Sequence, residues 1–225
     1  MRIIVCHITR MYEGRVCVAG IEPRTKAHVR PQTRPGEPLG YQSLSENGGA
    51  FALGVEVELG RVSRIPEPPH CEDCVFEPRQ VRVIRAVPPE EFWKLISDSA
   101  CKSFSDIFGD DIYHYWGQSW VTRAGAGKAS LGFLRPERLE PLVLSERGVR
   151  LRFAGGGWCE AAVNDLRFHA ASQAVVKRLV NAANRRIDAG EEVILGLGLT
   201  RLWRKRHWLQ VNGIFFRTSP LKLFE

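Results

Sequence analysis

The sequence lacks any apolar run of the roughly 18 residues that a transmembrane helix needs. Its first apolar segment, IIVCHI at residues 3–8, is also too short for the core of a secretory signal. We therefore expect a cytoplasmic protein without a membrane partner. With 44% hydrophobic and 25% charged residues, the 225-residue chain is also far from the composition of disordered proteins.

Cysteine is present six times, but the chain has a single CxxC, formed by Cys71 and Cys74 in HCEDC. A structural zinc site needs four nitrogen or sulfur ligands, and the second CxxC that would complete one is missing. A redox CxxC would open a helix in a thioredoxin-like unit, whereas here Pro68-Pro69 precede it and a strand follows. We predict no bound metal at this loop and no cofactor.

No complete catalytic motif is present. AGAGKAS, at residues 124–130, resembles part of a P-loop, but Thr122 and Ala129 stand where Gly and Ser/Thr are required. A divalent cation is conceivable at four residues whose spacing matches no familiar ligand pattern. These residues are Asp110, Asp111, His114 and Asp165.

Acidic residues are too few to balance the basic ones, which gives a net charge of +7 and a pI of about 9.3. The imbalance is uneven. Residues 1–88 hold 12 Lys+Arg and 10 Asp+Glu, residues 89–130 hold 4 and 6, and residues 131–225 hold 16 and 9. A basic surplus favours polyanionic partners because it neutralises phosphates, although an ordinary solvated surface is the simpler alternative.

The first part of the chain predicts five strands. Residues 2–9 and 15–22 are rich in β-branched residues and flank a turn at Glu13-Gly14, and a third strand covers residues 26–31. Residues 55–62 and 80–87 add two more. At Pro88-Pro89 a helix is expected, with Phe92, Trp93, Leu95 and Ile96 on its apolar face. The aromatic and glycine-rich residues 113–130 indicate a loop.

The last part predicts strands at residues 131–134, 149–153 and 158–163, a helix over 168–189, and strands at 193–200 and 208–216. Three strands, a helix and two strands is the order of the OB-fold. We therefore predict an all-β protein with minor α: two tandem OB-like barrels, residues 1–88 and 131–225, joined by a helical and loop linker at residues 89–130.

Several of these segments together resemble the dual OB domain family. They are IVCHITRMYEGRVCVAGIE followed by HVRP, then LGVEVELGRV, LGFLRPERL, AVNDLRF, VILGLGLT and WLQVNGIFF. The resemblance implies two OB barrels and a nucleic-acid-binding role, often beside nucleotide-dependent defence or RNA-processing systems. Matched by motif, the residues of interest are Thr9, Arg10, Arg15, Arg30, Pro31 and Asp165. His28 departs from the pattern, since an aromatic residue such as Trp is expected there.

Arginines stand at the ends of the first three predicted strands. Arg10 and Arg15 flank the first turn, and Arg30 closes the third strand. The planar guanidinium donates two hydrogen bonds to a phosphate at once, so we expect these groups to line a nucleic-acid-binding rim. The alternative is that they pair with nearby glutamates at the surface.

The densest basic stretch is TRLWRKRHW, at residues 200–208, across the turn between the last two predicted strands. In OB-folds this turn borders the nucleic-acid groove, where cations contact phosphates and aromatic rings stack on bases. Alternatively, the tryptophans belong to the core. The candidate binding residues here are Arg201, Trp203, Arg204, Lys205, Arg206 and Trp208.

The sequence thus favours a non-enzymatic protein that binds RNA or DNA, with protein partners also conceivable. The alternatives are a metal-dependent nuclease or related hydrolase, and a protein-interaction scaffold. A metal-binding cluster of carboxylates would favour the enzyme, and a large exposed apolar patch would favour the scaffold.

Overall fold

The computed structural model describes residues 1–169 and 172–223. Strands account for 42% of the chain and helices for 19%, which confirms the expected all-β class with minor α. The main sheets form two curled half-barrels. Within the described residues, no helix combines the length and apolarity needed to cross a membrane.

The first half of the chain forms one sheet with the strand order β6-β7-β3-β2-β1-β5-β8, and β4 pairs with β2. All neighbours are antiparallel except β3 and β7. The strands are β1 (Arg2–Arg10), β2 (Arg15–Ile21), β3 (His28–Gln32), β4 (Leu39–Gly40), β5 (Val55–Glu58), β6 (Val62–Arg64), β7 (Asp73–Phe76) and β8 (Arg82–Ala86).

Strand β1 is buried on both faces, which explains why residues 3–6 are apolar without interruption. Ile3 and Val5 face the core of the first half, while Ile4 and Cys6 face a second core. A β-bulge between Val5 and His7 then shifts the register. Because a bulge breaks the two-residue alternation, Ile8 returns to the first core.

The second half contains a six-stranded sheet, β10-β11-β18-β17-β12-β9, and a four-stranded sheet, β13-β15-β14 with β16 on β15. Its strands are β9 (Ala100–Cys101), β10 (Tyr113–His114), β11 (Trp120–Arg123), β12 (Leu131–Leu134), β13 (Arg138–Leu139), β14 (Val143–Ser145), β15 (Gly148–Ala154), β16 (Trp158–Ala162), β17 (Val193–Leu199) and β18 (Arg206–Phe216). The helices are α1 (Pro89–Asp98), α2 (Phe104–Phe108) and α3 (Gln173–Asp188).

Helix α1 packs between the two halves. It starts at Pro89 and buries Phe92, Trp93, Leu95 and Ile96, as the sequence predicts. These side chains share a core with Ile4, Cys6 and Ile21 of the first sheet and with Phe133, Ile194 and Phe215 of the second. The two halves are therefore in direct apolar contact, and the division of the chain at residues 89–130 stays a prediction.

Two local predictions are wrong, and several short strands are missing from the prediction. The segment at 113–130 is not all loop, because β10 and β11 lie within it and extend the second sheet. The strands that the sequence did not predict are β4, β6, β7, β9, β13 and β14. The second long helix begins at Gln173 rather than near residue 168, because Asp165 caps a separate 3-10 turn at Leu166–Phe168. Ala171, expected on the apolar face of that helix, lies outside the described residues.

Candidate nucleic-acid interface

The turn between β17 and β18 projects two basic residues into solvent. Trp203 and Arg206 exchange backbone hydrogen bonds of 2.9 and 3.1 Å, which leaves Arg204 and Lys205 as a two-residue tip. Both tip residues have positive φ, 50° and 63°. This is the conformation of a type I′ turn, for which Asn-Gly is the preferred sequence. The chain therefore has two cationic residues at positions whose backbone conformation is unfavourable for them.

Aromatic rings lie directly beside this tip. Trp208 Nε1 donates to the backbone carbonyl of Trp203 at 3.1 Å, and the two indole rings are 5.5 Å apart. The Arg204 guanidinium stacks over the Trp203 ring at 4.5 Å, yet Trp203 stays 55% exposed. Trp203 therefore does not belong to the core, and its ring is accessible to a ligand.

The β10–β11 hairpin supplies the other side of the surface. Strand β11 pairs with β18 so that Arg123 lies directly opposite Arg206. The Arg206 guanidinium stacks over the Tyr115 ring at 4.2 Å and its Nε donates to the Tyr113 hydroxyl at 3.3 Å. This hydrogen bond from Arg206 lowers the pKa of Tyr113. The Tyr115 ring in turn packs edge-on against Trp208 at 5.7 Å.

We call this surface the aromatic-basic platform. It comprises Tyr113, Tyr115, Arg123, Trp203, Arg204, Lys205, Arg206 and Trp208. Among the described residues, no carboxylate lies within 4 Å of any of its four cations. Beside it, in the turn after β10, Trp116 is 84% exposed. Like charges directly opposite each other, here Arg123 and Arg206, destabilise a strand pair. A bound anion relieves this repulsion, so the platform is suited to binding one.

Arg30 is not part of this surface, and its expected place on an exposed rim is wrong. It is only 5% exposed, and its Nε donates to Asp73 Oδ1 at 2.5 Å. Arg201 does not join the platform cations either, because its Nη2 donates to Asp73 Oδ2 at 2.7 Å. Asp73 thus connects a buried arginine of the first half to the start of the β17–β18 turn. Both arginines pair with Asp73 rather than with a ligand because a buried carboxylate requires neutralisation by opposite charge.

A histidine completes this ion-pair network. His70 Nδ1 lies 2.8 Å from Arg30 Nη2 and, as a neutral imidazole, accepts a hydrogen bond from it. Burial and the charges of Arg30 and Arg201 lower the pKa of His70 to about 2. The His70 ring packs edge-on against His207 of β18 at 5.0 Å. The network therefore runs from the first sheet to the second.

Arg10 and Arg15 remain at the surface but apart from the platform strands. Arg10 ends β1 with an exposed side chain, and its backbone N–H donates to the Asn164 carbonyl at 3.0 Å. Arg15 Nη1 is 3.6 Å from Glu37, which is the surface pairing considered as its alternative. A role for either residue in nucleic-acid binding stays a prediction.

The other motif residues of the resemblance are buried. Thr9 and Asp165 form an isolated β-bridge between the halves, and Pro31 is buried in β3. Asp165 accepts hydrogen bonds from the side chain of Arg167 and, at 3.3 Å, from the backbone N–H of Ile214. Thr9 and Asp165 therefore join the halves, and Pro31 is buried within the first sheet, where it lies opposite Cys74 of β7.

Glu72 is a further contact between the halves that the sequence did not indicate. Its carboxylate is buried and accepts hydrogen bonds from the backbone N–H groups of Ser130 and Leu131, at 2.7 and 3.0 Å. The Ser130 hydroxyl donates a third at 2.9 Å. The loop before β7 is thereby fixed to the start of β12.

The residues considered for a nuclease do not assemble. Asp165 is taken up by Arg167, and Asp111 accepts from the backbone N–H of Gly127. In residues 1–169 and 172–223, no metal-ligand cluster includes Asp110, Asp111, His114 or Asp165. Cys71 and Cys74 are free thiols, and the absence of zinc there stays a prediction.

The sequence thus indicated the platform residues of the β17–β18 turn and of β18, but not those of the β10–β11 hairpin. The signal was present: WVTR follows the turn at Gly117, and YHYW precedes it. Tyrosine and tryptophan favour strands, and a glycine at positive φ, here 67°, is typical of a hairpin turn.

Comparison with known proteins identifies the family of the chain. No curated protein matches the chain in sequence. A solved structure of a murine DNA-binding protein bound to double-stranded DNA is similar over 96% of both chains, with 10% identity and a TM-score of 0.33. The sequence profile of the dual OB-containing domain matches residues 1–214, and the chain therefore belongs to the dual OB domain family.

Proposed function

We propose that this protein binds single-stranded nucleic acid through the aromatic-basic platform, as a non-enzymatic binding protein. The observation that carries the proposal is the cross-strand pair of Arg123 and Arg206, which has no carboxylate partner among the described residues and lies beside the cationic turn tip. Phosphates placed between these guanidinium groups would relieve their repulsion and release counterions.

The exposed rings indicate which form of nucleic acid is bound. Trp203, Tyr115 and Trp116 present accessible faces next to the cations. In a duplex the bases are already stacked on one another, whereas single strands offer free base faces to such rings. We therefore expect single strands to bind more tightly than duplexes.

The mixture of rings and cations also favours nucleic acid over an apolar protein partner. Leu202 and Trp203 are exposed, but the residues that follow them are Arg204, Lys205 and Arg206. Arginine and aromatic residues are also common in protein interfaces, but four cations without a carboxylate partner among the described residues are best neutralised by the phosphates of a nucleic acid.

The test is a titration of labelled single-stranded and duplex RNA and DNA of equal length, at two salt concentrations. For the wild type we expect tighter binding of single strands. Replacing Trp203 or Tyr115 by Ala should weaken single-strand binding by about 1–3 kcal/mol if each ring stacks on a base.

A matched control is Trp158→Ala. The Trp158 ring lies on β16 beside the β10–β11 hairpin, but Arg152 covers it at 4.5 Å, and the substitution keeps the backbone carbonyl that accepts a hydrogen bond from Trp120 Nε1. This variant should bind as the wild type does. Equal affinity of the wild type, Trp203→Ala and Tyr115→Ala for single strands, with all three folded, would refute stacking on the platform.

A further inference from the structure

Three side chains that can bind a metal meet where the first half of the chain packs against the second. They are Cys6 and His7 of β1 and His28 at the start of β3, and one ligand atom from each lies within 4.8 Å of the other two. Within the described residues this is the only cluster of three such ligands. It lies apart from the aromatic-basic platform.

The β-bulge in β1 makes this arrangement possible. Consecutive residues of a regular strand point to opposite faces, so Cys6 and His7 could not share a site there. The register shifts between Val5 and His7, which places the extra residue Cys6 in the bulge. Bulges re-aim side chains in this way, and they are common beside functional sites.

The imidazoles lack the partners that buried polar groups normally have. His7 is only 1% exposed, and neither its Nδ1 nor its Nε2 has a hydrogen-bond partner. His28 Nε2 is also buried without a partner. Both rings instead pack against Phe133, at 5.0 and 5.2 Å. Such groups are rarely left unsatisfied in a native core, so three orphaned nitrogens call for a ligand.

The neighbouring backbone leaves room for these rings. A Cβ atom at Gly196 of β17 would lie 2.7 Å from His7 Cε1 and 2.8 Å from its Nδ1, so only glycine fits there. His7 is therefore held by its packing, whereas His28 is partly exposed.

We propose that Cys6, His7 and His28 bind one soft transition-metal ion, Zn²⁺ or Cu⁺. Thiolate and imidazole are the ligands that these ions prefer. Donors bound to one zinc ion lie about 3.3–3.6 Å apart, so a closure of roughly 1 Å would complete the site. Binding converts the Cys6 thiol to a thiolate and releases its proton to solvent.

The net charge of the occupied site distinguishes Zn²⁺ from Cu⁺. One thiolate leaves a bound Zn²⁺ with a net charge of +1, but it leaves Cu⁺ neutral. The cluster contains no carboxylate to compensate the zinc complex. Because buried net charge is costly, the site favours Cu⁺ unless an anion from solvent completes the zinc coordination.

The experiment measures metal content of the full-length chain. Protein stripped with chelator is reconstituted separately with Zn²⁺ and, under reducing conditions, with Cu⁺, then dialysed and analysed by mass spectrometry. We expect about one ion per chain in at least one arm, and less than about 0.1 in Cys6→Ser and His28→Gln. The matched control Cys74→Ser, which removes another fully buried thiol, should keep the ion.

A spectroscopic measurement tests the thiolate ligand directly, so that the result does not rest on the folding of Cys6→Ser alone. Substitution with Co²⁺ should produce a thiolate-to-cobalt charge-transfer band in the wild type that is absent from Cys6→Ser and weakened in the folded His28→Gln. The proposal is overturned if neither ion binds the wild type, if both ligand variants keep the ion, or if Cys74→Ser loses it. None of these readouts depends on nucleic-acid binding.

Discussion

Replacing Asp73 by alanine should strongly destabilise the protein. The Asp73 carboxylate is buried and accepts hydrogen bonds from Arg30 at 2.5 Å and from Arg201 at 2.7 Å. The substitution leaves the Arg30 guanidinium, only 5% exposed, without its ion-pair partner. Removing one partner of a buried ion pair costs about 3–5 kcal/mol, because the remaining charge stays desolvated.

The expected loss can be measured as a change in melting temperature. For a chain of this size, 1 kcal/mol corresponds to about 2–4 °C, so Asp73→Ala should lower Tm by roughly 6–20 °C. Circular dichroism at 222 nm in a thermal scan would detect a change of this size, and urea unfolding would give the free energy directly.

Arg201→Ala is the matched control for this prediction. The Arg201 side chain is 38% exposed, and Asp73 keeps Arg30 as its partner when Arg201 is removed. Pairs with an exposed member contribute only about 0–1 kcal/mol. If Asp73→Ala unfolds within about 1 kcal/mol of the wild type, or if Arg201→Ala costs as much as Asp73→Ala, the buried network does not stabilise the fold as described.

Two further predictions concern the turn and the histidine network. Replacing Arg204-Lys205 by Asn-Gly should raise the free energy of unfolding by about 1 kcal/mol, because both positions have positive φ. The same change should weaken nucleic-acid binding because it removes two cations. Urea unfolding measures the first effect and a binding titration measures the second. His70, whose pKa is about 2 in the folded chain against an ordinary 6.5, takes up a proton only on unfolding as pH falls below about 6.5. Stability should therefore fall with acid by up to about 1.4 kcal/mol per pH unit, and His70→Gln should show a correspondingly shallower fall between pH 6.5 and 4, whereas identical slopes would contradict the assignment.

The fold was largely predictable where the local signal was strong. Strands β1, β2 and β3 are β-branched and separated by turn residues, and α1 has a proline at its first position and a continuous apolar face. Strands β10 and β11 escaped prediction because they are two and four residues long. The pairing of β11 with β18, more than 80 residues later, has no local signature.

The site was predictable only in part, because some of its residues come together through contacts between distant parts of the chain. Arg204, Lys205 and Arg206 form a continuous basic run that the sequence displays directly. The burial of Arg30 depends on Asp73, a single carboxylate 43 residues further along the chain, which composition cannot reveal. The cluster of Cys6, His7 and His28 depends on a bulge, and no residue type signals a bulge at this position.

The salt dependence of binding tests the central claim most directly. Each phosphate neutralised on a single strand contributes about 0.7 to the slope of log affinity against log salt concentration. Arg204→Ala/Lys205→Ala/Arg206→Ala should therefore weaken binding and make this slope less negative by about 2. The matched control removes the same charges from exposed positions of α3, with Lys177→Ala/Arg178→Ala/Arg185→Ala, and should keep the wild-type slope. A folded platform variant with the affinity and slope of the wild type would contradict the account.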